Sequence, residues 1–305
     1  MSLSLSILDQ SPIPEGSSVG DALRNSIDLA MLADDLGYAR YWVAEHHASK
    51  ALGCASPEVL IGPVAAATSR IKVGSGGVML PHYSPLKVAE NFRMLDGLYP
   101  GRIDLGIGRA AGTSPKVAFA LQRDKRQAPP DDFRQQLDEL IGLVANGPEL
   151  SLLGSSPDSV AWAAELGLPY VFADFINANG ADIVRPFRRD LKRMSVACWA
   201  ICAETDAEAM RLSYSARMLM LLLFRGRYIA VPTVAHAEEF LREEGVPLDA
   251  LPVGRRIIIG NPARVRAAIE AVAEDYGAQE VFIVNILYDH AARRRSYELI
   301  AEEFQ

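Results

Sequence analysis

Cysteine is scarce in this sequence, and clusters of basic residues are nearly missing. The three cysteines, Cys54, Cys198 and Cys202, are odd in number and lack a CxxC spacing, so neither a disulfide framework nor a zinc site is suggested. Lys and Arg total 31 against 38 Asp and Glu, a formal charge of -7. No basic stripe or aromatic-interleaved basic run occurs, which disfavours a nucleic-acid partner. The one basic triplet, Arg293-Arg294-Arg295, falls on an expected terminal helix and reads as a solvated face. No apolar run is long enough to span a membrane; the most apolar stretch, from Ser213 to Phe224, is short and flanked by arginine. The start, Met1 to Ser6, has no basic residue before a long apolar region and so no secretion signal. A cytoplasmic location is expected. A GxGxxG followed one strand later by an acidic residue is also missing, which removes the main support for an open dinucleotide-binding sheet.

What is present is a strict alternation of strand and helix patterns. Ile71 to Leu80 and Gly101 to Arg109 are short continuous apolar runs, as expected of parallel strands covered on both faces. Between them Pro85 to Leu98 has helical spacing, with Pro85 in the first turn. Further strands are expected at Leu3 to Leu8, Tyr41 to Ala44, Leu150 to Leu153, Tyr170 to Ala173, Ser195 to Cys202 and Val281 to Ile286. Eight strands alternating with helices predict a closed (β/α)8 TIM barrel spanning residues 1–305 as one domain. Arg225 to Arg256 reads as an insertion after strand seven, where barrel enzymes often carry a lid. The apolar helix before it suggests burial by that insertion or by a partner subunit.

In such a barrel the ligand face lies at the carboxyl ends of the strands. Four clusters reach it: Glu45-His46-His47, Gly74-Ser75-Gly76-Gly77, Gly106-Ile107-Gly108-Arg109 and Gly154-Ser155-Ser156-Pro157-Asp158-Ser159. An isolated strand-end histidine is commonly a core residue, but His46 stands in an acidic and histidine cluster on the ligand face, which favours a functional role. Neighbours in an extended chain point to opposite sides, so only one of His46 and His47 need face a pocket. Glu45 is either an orienter of a histidine or a salt-bridge acid at the rim. Two adjacent histidines without a third ligand at motif spacing argue against a metal. Gly76 and Gly77 allow a flat ring to approach the backbone. The serine cluster is an ordinary helix N-cap or, with the same atoms, an anion site made of free N–H groups and hydroxyls. Arg109 could offer the positive charge that a phosphate calls for, or pair with Asp104 or Glu45 in a rim salt bridge.

Taken together, Trp42-Val43-Ala44-Glu45-His46-His47, Gly74 to Pro81, Tyr99 to Arg109, Leu153 to Ser156, Tyr288-Asp289-His290 and Arg295 to Leu299 resemble the bacterial luciferase-like flavin monooxygenases over nearly the whole chain. The likeness implies a barrel that binds FMN and uses its reduced form with oxygen to oxidise a small-molecule substrate, with a separate flavin reductase as a possible partner. It implies a catalytic role for His46, a non-proline cis peptide at the glycine pair, and FMN phosphate held by Ser156 and Ser159, with Ser155 and Arg109 beside them. It also implies a homodimer built on the helices Pro57 to Thr68 and Pro85 to Leu98, where Gly62, Ala65, Ala66 and Ala67 allow close approach. Two departures stand out. Gly108 occupies the place of the light-emitting enzyme's reactive cysteine, and Leu140 to Leu150 is a short link. The family also holds deazaflavin-dependent dehydrogenases and flavin-binding proteins without known catalysis, which fold alone does not separate.

Overall fold

The structure is a computed structural model that describes residues 3–109, 115–122, 125–126, 131–249 and 255–305. Met1 and Ser2 of the amino-terminal stretch and residues 250–254 of the expected insertion lie outside them. In chain order the elements are β1 (Ser4–Asp9), α1 (Val19–Leu36), β2 (Arg40–Val43), α2 (Pro57–Ala67), β3 (Lys72–Met79), α3 (Pro85–Leu98), β4 (Ile103–Gly108), α4 (Pro115–Leu121), α5 (Phe133–Leu143), β5 (Glu149–Gly154), α6 (Pro157–Glu165), β6 (Pro169–Ala173) and α7 (Gly180–Val184). They continue with β7 (Arg193–Cys202), α8 (Asp206–Leu212), α9 (Tyr214–Phe224), α10 (Val234–Glu243), β8 (Ile257–Gly260), α11 (Pro262–Tyr276), β9 (Glu280–Val284) and α12 (His290–Phe304). Local chemistry sets many of the boundaries. Ser18 and Asp21 form a reciprocal capping box at the start of α1, and Gly37 ends it in the left-handed region at φ 81°. Asn261 caps α11 with Pro262 in its first turn, and Gly277 closes it at φ 62°.

The strands close as a parallel cycle β1-β2-β3-β4-β5-β6-β7-β9-β1, a TIM barrel of eight strands with helices between them. The register gives its shear. From Leu152 the ladders run to Tyr170, Met194, residue 279, residue 3 and on around to position 144 of β5, eight residues short of the start. In a barrel of this shear, inward side chains share a height on alternate strands. The lumen therefore fills in layers. At the amino-terminal end lie Lys72, Glu149 and Arg193, then Arg40, Asp104 and Glu280, then Ser6, Gly74, Ser151 and Ser195. Trp42 and Phe282 come next with ring centroids 4.5 Å apart, followed by Leu8, Gly76, Leu153 and Ala197. Ala44, Gly108, Ala173 and Val284 form a layer of small side chains above them.

Two expectations need correction. The four-residue strand β8 was not anticipated, because Ile257-Ile258-Ile259 is a short run between an arginine pair and a helix cap. It pairs with Trp199 to Cys202, above the level where β6 ends opposite Ala197. The Ala197 carbonyl accepts from Phe175 and the Ala203 amide donates to Gly260. Both residues are odd-numbered, so β8 continues the β6 edge of β7 and stays outside the eight-strand cycle. Arg293 is not part of a solvated face. Only 1% exposed, it donates to buried Asp9, which also accepts from Tyr41 Oη at 2.6 Å, while Arg294 and Arg295 stay at the surface with Asp28 and Glu204. The apolar α9 is covered by the insertion itself, since Tyr214, Met218 and Leu222 pack with Ala237 and Leu241 of α10. The link from α5 to β5 is confined to residues 144–148, with Asn146 in the left-handed region at φ 66°.

The charged floor is the most exacting part of this packing. Arg40 donates to Asp104 at 2.9 Å and to Glu280 at 2.9 Å and lies 3.6 Å from Glu149, while Trp42 Nε1 donates to Asp104 at 3.0 Å. Replacing Arg40 by Met strands these carboxylates without their common cation, so it should destabilise the fold by about 3–5 kcal/mol. Urea unfolding midpoints of the two proteins measure this, and a loss below about 1 kcal/mol would show the floor to be dispensable.

Candidate active site

The same alternation that builds the layers sorts the strand-end residues. On β2, Arg40, Trp42 and Ala44 point into the lumen, and His46 continues that face; Tyr41 and Val43 pack outwards, and Glu45 and His47 follow them. The contacts agree. The fully buried Glu45 carboxylate accepts from His47 Nε2 at 2.5 Å, from Tyr83 Oη at 2.7 Å and from the Met79 amide at 2.9 Å, and no bond joins it to His46. Glu45 thus orients a histidine, but the outward one. It does not bond His46, because neighbours in an extended chain face apart. What Glu45 does is tie the loop after β2 to the end of β3.

His46 is partly buried, its backbone amide donates to Cys54 O at 2.8 Å, and its buried Nδ1 has no partner within the protein. Burial, with the neighbouring His47 second, lowers its pKa to about 4, so the imidazole is neutral at pH 7. The sign of the linkage follows. Between pH 6.5 and 4 the unfolded chain takes up a proton that the folded site refuses, so stability falls as pH drops through that window. Relative to the parent, His46→Gln should recover up to about 2 kcal/mol of the loss between pH 7 and pH 5. Urea unfolding at the two pH values decides it; identical pH dependence would mean that His46 is readily protonated in the fold.

The glycine pair lies where the bare backbone of β3 meets the lumen. The Gly76–Gly77 peptide is cis. A Cβ on Gly77 would come within 2.9 Å of the Gly106 backbone and has no room, whereas one on Gly76 would displace the end of the Leu8 side chain, 2.3 Å away, and press on Trp42 Cβ at 3.2 Å. Gly108, one layer higher on β4, has nothing within 4 Å of its would-be Cβ, so space opens there.

Arg109 leaves the end of β4 and meets α6, with Nη1 3.4 Å from Asp158 and the guanidinium 5.3 Å over the Trp162 ring. Neither Asp104 nor Glu45 is its partner. Asp104 is committed to the floor, and Glu45 to His47 and Tyr83. Arg109 is 43% exposed along its side chain, and the ion pair with Asp158 is long enough to exchange for a stronger anion. Ser156 caps α6, accepting from the Ser159 amide at 3.4 Å. The Ser159 hydroxyl is turned inward, donating to Ser156 O at 2.8 Å and lying 2.8 Å from Tyr170 Oη. In this arrangement both the amide and the hydroxyl of Ser159 are spent within the protein. Ser155 is fixed through its carbonyl, which accepts from Asn177 Nδ2 at 3.2 Å. The structure therefore brings Arg109, Ser155 and Ser156 to one helix N-terminus at the carboxyl face, with Ser159 behind them.

Sequence reasoning missed several contributors. Tyr83 and the Met79 amide complete the Glu45 cluster, Asn177 steadies the serine loop, and Gln10 and Trp199 reach the upper lumen. Strand alternation through Ala197-Cys198-Trp199 could have placed the tryptophan inside, whereas nothing in the loop around Asn177 foretells its bond. The insertion also builds the rim: Val231 N donates to Ile13 O at 2.9 Å, Glu15 N donates to Val231 O at 2.7 Å, and Ile13 N donates to Ala51 O at 2.7 Å. Among the described residues no group of three metal-ligating side chains occurs, and no helix is long and apolar enough to cross a membrane.

Residues 1–147 match the family described as luciferase-like monooxygenase. The Bacillus subtilis protein YwcH is 41% identical, with 99% of each chain covered, and a luciferase-like monooxygenase of Escherichia coli is 36% identical over 97% of this chain and 96% of its own. The crystal structure of apo-MsnO8 superposes with a TM-score of 0.90 at 39% identity, covering 99% of this chain and 98% of that one. This chain belongs to the luciferase-like monooxygenase family. The fold alone is shared with the oxygenating constituent of 3,6-diketocamphane monooxygenase from Pseudomonas putida, solved with FMN, at 22% identity and a TM-score of 0.78 over 100% and 98% of the two chains. It is likewise shared with an F420-dependent secondary alcohol dehydrogenase at 15% identity and a TM-score of 0.63 over 100% of each chain.

Proposed function

We propose that the protein is an FMN-dependent monooxygenase that takes reduced flavin and O2 and oxidises a small organic substrate. The observation that carries this reading is Arg109 beside the amino terminus of α6, on the same face as the side-chain-free backbone at Gly76 and Gly77. These residues fit the group. Arg109, the backbone around Ser155 and Ser156 and the Ser156 hydroxyl would hold a phosphate, and the open space at Gly108, beside the backbone of Gly76 and Gly77, would take a flat ring. Bound there, the reduced flavin supplies the electrons that activate oxygen. The chain's own contribution is to position and to shield. His46, neutral and facing the lumen with its Nδ1 unpaired, can hydrogen-bond the reacting atoms and takes up a proton only transiently, and the Val231 segment and Leu52 narrow the mouth against water. The sequence has no nicotinamide-binding motif, so reduced flavin comes from solution or from a separate reductase.

Titration with FMN by fluorescence quenching tests the binding half. Arg109→Ala removes a charge-assisted contact and should weaken FMN about tenfold to a few hundredfold, whereas His46→Ala should leave FMN affinity within a few fold. In oxygen-uptake assays with reduced FMN, His46→Ala should lower substrate-dependent turnover by about a hundredfold or more. Preference for F420 over FMN with no oxygen uptake would replace this reading by hydride transfer, and FMN binding without turnover of any substrate class would replace it by a carrier role.

The reading includes a homodimer on α2 and α3. Val59 (70% exposed), Leu86 (51%), Met94 (67%) and Leu98 (69%) leave apolar side chains on these helices, and Gly62 sits 3.8 Å from Leu95 in would-be Cβ contact, so the helices are already close. Light scattering at micromolar concentration should give twice the chain mass, and Met94→Asp with Leu98→Asp should return it to that of a single chain. A single-chain mass for the parent protein counts against the dimer.

A further inference from the structure

One layer above the small side chains Ala44, Gly108, Ala173 and Val284, the alternate strands bring Gln10 at the end of β1, Ser155 at the end of β5 and Trp199 on β7 to one height. Gln10 is 4% exposed and Trp199 is 3% exposed. Gln10 Nε2 and Trp199 Nε1 are buried N–H donors without a hydrogen-bond partner in the protein. Leaving one such group unpaired costs on the order of 1–3 kcal/mol, and here two stand in the same layer. Both face the lumen, because Asp9 packs outwards against Arg293 and Tyr41, and Cys198 and Ala200 pack outwards against the helices.

Their place in the cycle separates them from the phosphate cradle. β1 lies four strands from β5, directly across the barrel, and β7 is joined to β1 through β9. With the flavin anchored at the ends of β4 and β5 and bedded on β3, as proposed above and on which this inference rests, the β7-β9-β1 wall is left for the molecule to be oxidised. That wall is apolar apart from the two donors. Phe175 and Ile286 stand one layer higher, and Leu52, Leu219 and Met210 join the same cluster. From Trp42 up to Trp199 no described lumen side chain carries a charge.

We propose that Gln10 and Trp199 are the substrate-positioning pair, whose amide and indole N–H groups receive a carbonyl-type oxygen of a neutral substrate with an apolar body. Two donors and no fixed charge favour an acceptor over an anion. A molecule without an acceptor leaves both donors buried and unpaired, and a carboxylate would be desolvated with no cation to meet it. The pair holds the oxygen-bearing end against β1 and β7 and directs the rest of the molecule towards Phe175 and Leu219.

The test uses 2-heptanone, 1-heptene and heptanoate as probes, read by the change in visible absorption of FMN-loaded protein and by tryptophan fluorescence of the protein without FMN. The parent should bind the ketone at least about tenfold more tightly than either of the others. Gln10→Leu and Trp199→Phe, each checked for an unchanged urea midpoint, should each reduce ketone affinity about tenfold while FMN affinity stays within about twofold. Gln10→Met stands in should Gln10→Leu fold poorly. Equal binding of ketone and alkene, tightest binding of heptanoate, or an equal loss of FMN and ketone affinity in the variants each overturns the proposal. If the parent binds no FMN, the flavin reading falls separately, and ketone against alkene on the protein alone still decides the pair.

Discussion

The ionic floor of the barrel is the constraint from which the rest of the site follows. A sheet closed with a shear of eight encloses a narrow lumen that must be filled, and this chain fills its lower end with Arg40, Asp104, Glu149, Glu280, Arg193 and Lys72. Burial pushes the Asp104 carboxyl above its usual range even though Arg40 and Lys72 pull it down, so the cluster holds only while its geometry is kept. Trp42 links the floor to what lies above, donating to Asp104 from its indole while its ring packs on Phe282. With the bottom plugged by charge and aromatic bulk, the small residues Ala197, Ala44, Gly108 and Ala173 gather towards one end, where nothing lies within 4 Å of a would-be Cβ on Gly108. That end is the carboxyl face, where the loops can shape it.

Three devices then divide the mouth. The Arg109 and α6 corner sets a guanidinium beside a helix N-terminus on the β4–β5 side, and β3 carries the cis Gly76–Gly77 peptide. The β2 loop brings a neutral histidine to the lumen. Each is steadied from outside the lumen: Glu45 binds the β2 loop to Met79 and Tyr83, Asn177 holds the Ser155 carbonyl, and the Ser159 hydroxyl is spent on Ser156 and Tyr170. The outward-facing residues of these segments thus serve the inward-facing ones. Arg293 belongs to the same scheme, since its buried pair with Asp9 fixes the end of β1 immediately before Gln10.

How much of this was legible beforehand depended on the range of the interaction. Strand and helix boundaries followed from apolar periodicity, proline and glycine, and α3 begins and ends where Pro85 and Leu98 suggest. β8 escaped because a run of three isoleucines is a strand only when another strand offers it an edge. The roles within Glu45-His46-His47 could not be divided by adjacency, whereas alternation correctly limited the lumen to one histidine. Arg293 looked like one of three surface arginines until Asp9, far away in the chain, proved to be its partner.

By itself the sequence determined the alternating pattern of strands and helices, the glycine and serine clusters at strand ends and the family likeness, because these rest on local periodicity, turn chemistry and contiguous motifs. Only the tertiary structure decided the shear, the charged floor, the assignment of Glu45 to His47, the inward turn of Ser159 and the meeting of Gln10 with Trp199 in one layer. Each of those depends on the register between strands distant in the chain, and register is set when the barrel closes, by all its ladders at once.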